Sequence, residues 1–328
     1  MAPVSVRVPA GNSSAQFASD VQYYLALQPR QLPSRYLYDA LGSALFEAIC
    51  RLPWYGITRA ELRLLNDHGP AIFNRVAPLS TIVELGGGSG EKLARLVEAG
   101  RRAWSAAQRV DLHLVDVSRS ALGISSRALS ALGGVHIITH EAPYELGLTE
   151  VKGERTGSGR MLALFLGSNI GNFDPPGADA FLLSIRASLQ HGDGLLIGTD
   201  LVKPEAQFLL AYDDPLGVTA AFNRNLLVRI NRELEGDFDL SAFTHRALWN
   251  PEASRVEMHL VSTRRQHVRV AAAALDLTFE AGDTIWTESS YKYRPEEVVT
   301  MLERSGFRFI DQWIDRGDGF ALTLVEAV

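Results

Sequence analysis

The sequence predicts an α/β protein with a mainly parallel, Rossmann-like sheet, an antiparallel C-terminal strand and a second α+β lobe. From about residue 80, near-continuous apolar segments alternate with helical patterns, which is typical of a parallel sheet covered by helices on both faces. A turn of three consecutive glycines, in "VELGGGSGEK", follows the first of these segments. Near the C-terminus, a helical pattern precedes two strands joined by a Gly-Asp-Gly turn, "FRFIDQWIDRGDGFALTLVEA".

The region before the sheet is predicted to be helical. Residues 13–28 form an amphipathic pattern with serine available as the N-cap, and a second helix, in "LYDALGSALFEAIC", should end before Pro53. A third, "ITRAELRLLNDHGPAIFNRV", alternates charged and aliphatic residues at helical spacing. The opening "MAPVSVRVPAGNSS" lacks the apolar centre of a signal peptide and is expected to be a flexible lead-in.

The sheet elements follow in order and are then interrupted. The predicted strands are "STIVEL", "VDLHLVDV", "VHIITHE", "RMLALFLGS" and "DGLLIGTD", with helices in "GEKLARLVEAGRRA", "SRSALGISSRALSAL" and "GADAFLLSIRASLQ". After residue 200 come two helical segments and then extended ones, including a hairpin of "FTHRALWN" and "SRVEMHLVST" around "NPEA". We therefore predict a discontinuous main domain, residues 60–200 and 291–328, and a second lobe, residues 1–59 and 201–290.

Composition excludes several classes of protein. The 328 residues are 46% hydrophobic and 21% charged, as in an ordinary globular protein. The formal net charge of −6 provides no basic surface, so we expect no nucleic-acid partner. No apolar run reaches the roughly 20 residues that cross a bilayer. The single cysteine, Cys50, excludes an internal disulfide and fits a reducing cytoplasm, and a self-contained two-lobed chain of this kind can be a monomer.

The histidines do not indicate a metal site. The eight of them are scattered along the chain, and His136 and His140 lie four residues apart on a predicted strand. That spacing does not bring two ligands to one ion as it would on a helix. We therefore predict that the protein binds no metal.

The glycine-rich turn must accommodate a ligand that approaches the backbone closely, and three classes of ligand come into question. A Walker phosphate loop is excluded because no Ser or Thr follows Lys92. The dinucleotide pattern GxGxxG fits poorly, since Gly86, Gly88 and Gly90 form GxGxG after the strand residue Glu84. This arrangement resembles the first motif of class I S-adenosylmethionine (SAM)-dependent methyltransferases.

Two further features strengthen the resemblance to class I methyltransferases. Asp116 ends a strand about thirty residues after Glu84, where a carboxylate can accept hydrogen bonds from ribose hydroxyls. The final helix and hairpin look like the ending of that fold. The resemblance implies SAM as the cofactor.

Longer stretches are similar to one family in particular: the histidine-specific methyltransferases of ergothioneine biosynthesis, which trimethylate the α-amino group of histidine to give hercynine. From about residue 32 to the C-terminus, the matching stretches occur in family order. They are "LPSRYLYDALGSALFEAICRLPWYGITRAE", "VELGGGSGEK", "LFLGSNIGNF", "GLLIGTDLVK", "AYDDPLGVTAAFNRNLL" and "TESSYKYRPEEV".

The resemblance implies roles for residues on the cofactor side. Gly86, Gly88, Lys92 and Asp116 match the family's SAM contacts. Where the family commonly has Asp and a bulky aromatic residue at the adenine, this chain has Glu141 and Ala142 in "THEAPYEL". Glu141 can still accept from the exocyclic amine, whereas the aromatic contact is either supplied by Tyr144 or absent.

The resemblance also implies a substrate site for a free amino acid. Asn172 matches the asparagine that binds the substrate amine, and it is the residue expected to aim that amine at the methyl group. Tyr55 and Tyr212 match the tyrosines that hold the substrate carboxylate. Glu288 and Ser290 match the pair that recognises the imidazole ring. Three more residues are expected to line the pocket: Tyr38, Phe46 and Met258.

Other functions remain open on the sequence. The same fold could methylate another amino acid, such as tryptophan or tyrosine; an indole would need neither Glu288 nor Ser290. An NAD-dependent oxidoreductase and a binding module with a degenerate cofactor site are alternatives from other classes.

Overall fold

The computed structural model describes residues 14–100, 109–132, 135–155 and 159–328, which divide into two compact units. The first contains Ile57–Val202 and Lys292–Val328, and the second contains residues 14–56 and Lys203–Tyr291. The predicted breaks fall after residues 59, 200 and 290. The expected flexible lead-in and the end of the helix after the glycine turn lie outside the described residues.

The helices of the described residues follow the predicted pattern with one addition. Their bounds are α1 (Ser14–Ala26), α2 (Ala40–Cys50), α3 (Gly56–Arg75), α4 (Glu91–Gly100), α5 (Arg119–Ser130), α6 (Tyr144–Glu154), α7 (Pro175–Ser188), α8 (Glu205–Tyr212), α9 (Val218–Leu234) and α10 (Pro295–Arg304).

The strands also follow the predicted order, except that β1 was not predicted. Their bounds are β1 (Arg30–Gln31), β2 (Leu79–Leu85), β3 (Val110–Asp116), β4 (Val135–Glu141), β5 (Arg160–Phe165), β6 (Gly194–Asp200), β7 (Phe243–Asn250), β8 (Arg255–Ser262), β9 (Gln266–Val270), β10 (Leu275–Phe279), β11 (Thr284–Tyr291), β12 (Phe307–Asp315) and β13 (Phe320–Ala327).

A seven-stranded sheet organises the first unit, in the order β12-β13-β6-β5-β2-β3-β4. Strands β4, β3, β2, β5 and β6 are parallel, and β13 lies antiparallel between β6 and β12. This is the class I methyltransferase arrangement that the sequence predicted, and the prediction is confirmed. The strand order reverses beside β2, and ligands of open α/β sheets bind at the carboxyl ends of the strands at such a point.

The central strands are buried along nearly their whole length because helices cover both of their faces. Every residue of β6 and β13 is buried, and the core includes Phe165, Ile197 and Val325. Phe181 of α7 packs into the same core. Burial on both faces explains why these strands read as continuous apolar runs rather than as alternating ones.

Helix α6 was not predicted. Its sequence, "YELGLTEVKGE", contains two glycines and has little amphipathic character. The helix nevertheless packs on β3, where a Cβ at Gly147 would lie 2.2 Å from Cγ1 of Val115. The glycine that weakens the helix pattern is therefore what allows close packing, and tertiary contact outweighs local propensity here.

The second unit is built on a four-stranded sheet in the order β1-β11-β8-β7, with a separate β9-β10 hairpin. β7 and β8 pair antiparallel around the "NPEA" turn, as predicted. Helix α9 contributes buried Leu226 and Ile230 and contacts both β7 and α2. No helix among the described residues is both long enough and apolar enough to cross a membrane.

Candidate active site

The glycine turn after β2 requires glycine at three positions. Gly86, Gly88 and Gly90 have φ values of 73°, 55° and 76°, a left-handed conformation that side chains disfavour. The Gly86 N–H donates to the Val115 carbonyl at 2.8 Å. A Cβ at Gly86 would lie 2.7 Å from the Tyr144 hydroxyl oxygen. The turn is thus closely packed against Tyr144, and Ser89 is its only residue with a side chain.

Glu84 lies buried beneath this turn. Its Oε2 is one of the buried oxygens in the described part of the chain that have no hydrogen-bond partner. Burial raises the pKa of Glu84 to about 7, against the opposing effect of Lys92. A Cβ at Gly87 would lie 2.3 Å from that oxygen, so the middle glycine of "GGG" leaves room for the carboxyl group.

The other predicted cofactor residues lie at the carboxyl ends of neighbouring strands. Asp116 and Glu141 face each other in the β3–β4 register, and the Ala142 N–H donates to the Asp116 carbonyl at 3.2 Å. The Asp116 carboxylate accepts from the N–H of Ser118 at 2.8 Å. Burial raises the pKa of Asp116, whereas backbone N–H groups, including that of Gly88, act in the opposite direction.

Tyr144 packs mainly into the core. Its ring centroid lies 5.5 Å from that of Phe165 and 5.8 Å from that of Phe181, and its hydroxyl points to Gly86. Burial raises the pKa of this hydroxyl. Its aromatic contacts in the first unit are thus with core side chains, and an adenine contact from Tyr144 stays a prediction.

Lys92, near the start of α4, is paired with a residue that the sequence analysis gave no role. Its Nζ lies 2.7 Å from Oε2 of Glu61, whose side chain is fully buried. The Glu61 carboxylate also accepts from the Gly167 N–H at 2.9 and 3.0 Å. Glu61 therefore ties the lysine of the glycine motif to the loop after β5. The only sequence signal was its place in the family stretch "ITRAE".

Asn172 ends a 3₁₀ turn, Asn169–Asn172, in that same loop. A loop asparagine often caps the next helix, but here the cap of α7 is Asp174, which accepts from the Gly177 N–H at 2.9 Å. The loop is anchored by Ser168, whose hydroxyl accepts from the Asp200 N–H at 2.9 Å. Asn172 is therefore not needed as a helix cap.

In the second unit, four of the predicted substrate residues form one aromatic group. Ring centroids are 5.5 Å apart for Tyr38 and Phe46, 6.3 Å for Phe46 and Tyr55, and 6.4 Å for Tyr55 and Tyr212. Phe222 of α9, which the sequence analysis missed, lies 5.5 Å from Tyr38 and 5.9 Å from Phe46. The only available signal was its place inside "GVTAAFNRN".

The three remaining substrate residues share one face of the four-stranded sheet. Glu288 on β11 lies opposite Met258 on β8, and Ser290 lies opposite Val256. The Tyr212 hydroxyl donates to Oγ of Ser290 at 2.8 Å, which joins the aromatic group to this face. Glu288 and Ser290 are 9% and 6% exposed, so a ring bound there would exchange hydrogen bonds with nearly dehydrated groups.

His113 and His140 form a contact that the sequence analysis also missed. Their facing nitrogens, Nδ1 and Nε2, lie 2.9 Å apart in rings that differ by only 20°. Since Nδ1 of His140 contacts Glu150 at 2.9 Å, the geometry is that of a hydrogen-bonded chain. With Glu154 these histidines are the described residues that could hold a metal ion, and the absence of a metal stays a prediction.

The first unit has the features that SAM requires. A buried acid without a partner, a turn that side chains would fill, and a strand-end aspartate all lie around the glycine motif. These groups offer acceptors for ribose hydroxyls and for a cationic ligand. When bound, SAM supplies a methyl group activated by a sulfonium.

Comparison with known proteins assigns the chain to a family. Residues 17–327 match the family model "Histidine-specific methyltransferase, SAM-dependent". The chain is 42% identical over 317 residues, 96% of each chain, to a histidine N-alpha-methyltransferase of Mycolicibacterium smegmatis. It is 41% identical over 324 residues, 98% of each chain, to the protein of the same description from Mycobacterium tuberculosis.

A more distant relative is longer. Ergothioneine biosynthesis protein 1 of Neurospora crassa is 29% identical over 294 residues, which are 87% of this chain and 32% of that protein. The match to the family model spans nearly the whole chain, including both units and the glycine motif. The chain therefore belongs to the SAM-dependent, histidine-specific methyltransferase family.

Proposed function

We propose that this enzyme trimethylates the α-amino group of free L-histidine to give hercynine, a step of ergothioneine biosynthesis. The observation that carries the proposal is the hydrogen bond between Tyr212 and Ser290, on the sheet face that also bears Glu288. It supports a site where aromatic side chains surround a few polar groups, as expected for a small polar ring.

The proposal assigns a role to each polar group of the second unit. The Glu288 carboxylate accepts from one ring N–H of histidine, and the Ser290 hydroxyl serves the other ring nitrogen. Tyr55 donates its phenolic proton to the substrate carboxylate. Tyr212 does the same when histidine binds, in place of its donation to Ser290 in the ligand-free protein. Tyr38 and Phe46 supply aromatic faces that stabilise cationic groups.

In the first unit, the proposal gives Asn172 the role of orienting the substrate amine through its side-chain oxygen. The neutral α-amine attacks the methyl group as the nucleophile. Because its pKa is roughly 8, it can lose its proton to water, and no strong catalytic base is needed. Gly86, Gly88, Lys92, Asp116, Glu141 and Ala142 would hold SAM. The contribution of the chain is alignment rather than acid–base chemistry.

Methylation of tryptophan is less well supported. An indole has one N–H donor and no acceptor, so it would leave Glu288 or Ser290 without a ligand partner. One hydrogen bond to the ligand fewer than with imidazole lowers the binding free energy by about 0.5–1.5 kcal/mol. A free amino acid also fits the net charge of −6, which offers no surface for nucleic acid.

The proposal also describes the protein as a monomer located in the cytoplasm. Every side chain assigned here comes from a single chain, so a monomer suffices, and sedimentation measures this directly. A cytoplasmic location rests on the single cysteine.

The decisive experiment incubates the protein with SAM and the twenty amino acids and identifies methylated products by mass spectrometry. Histidine carrying up to three methyl groups is the expected product. Methylation of another amino acid instead of histidine would overturn the substrate assignment. A thermal shift by S-adenosylhomocysteine, and none by NAD, separates the proposal from an oxidoreductase.

A further inference from the structure

Strand β11 is irregular at its centre, directly before Glu288. Successive side chains of a regular strand point to opposite faces, so Trp286 and Glu288 should share a face. The pairing with β8 instead places Trp286 opposite His259 and Glu288 opposite Met258, with a register shift between them. Because His259 and Met258 are consecutive, Trp286 and Glu288 lie on opposite faces.

Thr287 is therefore the extra residue of a β-bulge. After the bulge, Glu288 and Ser290 share the face of Met258 and of Ile285, which pairs with Leu260. Without it, Glu288 would lie on the opposite face. Bulges are common beside active sites because they redirect a side chain in this way.

Two side-chain hydrogen bonds hold the bulge. The Thr287 hydroxyl donates to the Met258 carbonyl at 3.0 Å. The Trp286 indole N–H donates to the Glu288 carbonyl at 2.9 Å. The two acceptors are the carbonyl of Glu288, directly after the bulge, and the carbonyl of Met258, on the neighbouring strand. The regular pairing of β11 with β8 is interrupted between them.

Trp286 is itself held by contacts on its own face. The Arg255 guanidinium lies 4.4 Å from the indole centroid, and the His259 ring lies 6.0 Å away. The Arg255 guanidinium in turn forms an ion pair with Glu257, whose Oε1 lies 2.7 Å from Nη2 of Arg255. The indole therefore has a defined orientation from which to donate to Glu288.

We infer that Trp286 and Thr287 are positioning residues for substrate recognition: they hold the bulge that directs the Glu288 carboxylate to the face of Ser290 and Met258. The inference rests on the proposed function, because it takes Glu288 and Ser290 as the groups that bind the ring. Neither residue needs to touch the substrate. Their effect is to select the face on which Glu288 lies.

Thr287→Val removes one hydrogen bond while keeping a similar shape, and Trp286→Phe removes the other together with one ring of the indole. The KM for histidine should rise roughly fivefold to tenfold in each, the effect of losing one such bond. The affinity for S-adenosylhomocysteine should not change. KM does not depend on the fraction of enzyme that is folded, so it separates positioning from a loss of stability.

Two matched variants serve as controls. Thr287→Ser keeps the hydroxyl and should restore the wild-type KM. Thr244→Val, on β7 of the same sheet, removes a hydroxyl near the Val261 carbonyl (3.5 Å) and should leave KM unchanged. Wild-type KM in both Thr287→Val and Trp286→Phe would overturn the inference.

A double variant tests whether the effect passes through Glu288. In a Glu288→Gln background, Thr287→Val should add little, because the carboxylate it positions is already gone. If the KM increases of Thr287→Val and Glu288→Gln multiply in the double variant, the inference is contradicted. If the wild-type enzyme leaves histidine unmethylated, the proposed function fails; if it methylates histidine and the variants match it, only this inference fails.

Discussion

The hydroxyl of Tyr212 donates a 2.8 Å hydrogen bond to Oγ of Ser290, 78 positions further along the chain. The bond joins the last residue of α8 to β11. Both residues belong to the group that we propose binds histidine. Each has other contacts, so this bond is one part of a larger arrangement.

Tyr212→Phe should weaken histidine binding selectively. The variant keeps the ring beside Tyr55 but loses the O–H, which donates to Ser290 in the ligand-free protein and, by our proposal, to the carboxylate of bound histidine. We expect KM for histidine to rise by about 1–2 orders of magnitude, as for a lost hydrogen bond to a charged group. Steady-state kinetics at saturating SAM measures it.

Tyr36→Phe is the matched control for that variant. It removes a buried phenol in the same unit, whose hydroxyl donates to Asp20 at 2.5 Å, and should lower stability without changing KM. A KM that rises equally in both variants would mean that Tyr212 acts through stability alone.

Asn172→Ala should abolish most turnover while leaving SAM binding intact. The side chain that we propose orients the amine is lost, whereas the cap of α7 on Asp174 is kept. We expect kcat to fall by at least about 100-fold, as when one well-placed catalytic group is removed. Asn169→Ala, in the same turn, is the control, and unimpaired turnover of Asn172→Ala would remove Asn172 from the site.

Gly86→Ala should destabilise the protein and weaken binding of S-adenosylhomocysteine. The alanine would have to keep the left-handed φ of 73°, and its Cβ would lie 2.7 Å from the Tyr144 hydroxyl oxygen. The conformational part alone costs about 1–2 kcal/mol. Thermal unfolding measures the loss of stability, and titration calorimetry measures the affinity for S-adenosylhomocysteine.

Tyr144→Phe tests the steric part of that prediction. It removes the hydroxyl, after which the nearest ring atoms lie 3.3 Å from the new Cβ. The double variant should therefore recover part of the stability that Gly86→Ala loses. Strictly additive losses would mean that the Tyr144 hydroxyl is not the obstacle.

The stability of the ligand-free protein should fall as pH rises from about 4.5 to about 7. The pKa of Glu84 is raised by burial from 4.5 to about 7, so in this range the folded protein binds more protons than the unfolded chain. Below about pH 4.5, Glu84 is protonated in both the folded and the unfolded protein. Above about pH 7 it is ionised in both, and the full free-energy cost of burying its charge lowers the stability. Glu84→Gln should remove this dependence.

The size of that effect is at most about 3 kcal/mol, from 1.36 kcal/mol per pKa unit. Thermal unfolding of the wild type and of Glu84→Gln at several pH values measures it. Glu98→Gln, an exposed carboxylate on α4, should keep the wild-type profile. A constant difference between wild type and Glu84→Gln across the range would refute the prediction.

Much of the first unit could be predicted because its signals are local. Apolar runs, the glycine turn and the Gly-Asp-Gly turn each depend on a few consecutive residues. They predicted β2, β3, β4, β5, β6 and the closing hairpin, and the sheet order confirms them. The family stretches then suggested which side chains form the site, and their roles stay predictions that the variants above test.

The remaining features depend on residues that are distant in sequence. Glu61 meets Lys92 and Gly167, His113 meets His140, and Phe222 joins the ring of Tyr38. No local pattern encodes such contacts, because they arise only when separate elements pack together.

The sequence by itself determined most of the order of strands and helices, the glycine turn and the family, since backbone preferences and apolar periodicity act over short distances. Only the tertiary structure decided on which face of β11 Glu288 lies. Strict alternation along "WTESS" predicts the wrong face. The bulge at Thr287 reverses it, and one of the two side-chain hydrogen bonds at the bulge needs the carbonyl of Met258, on another strand.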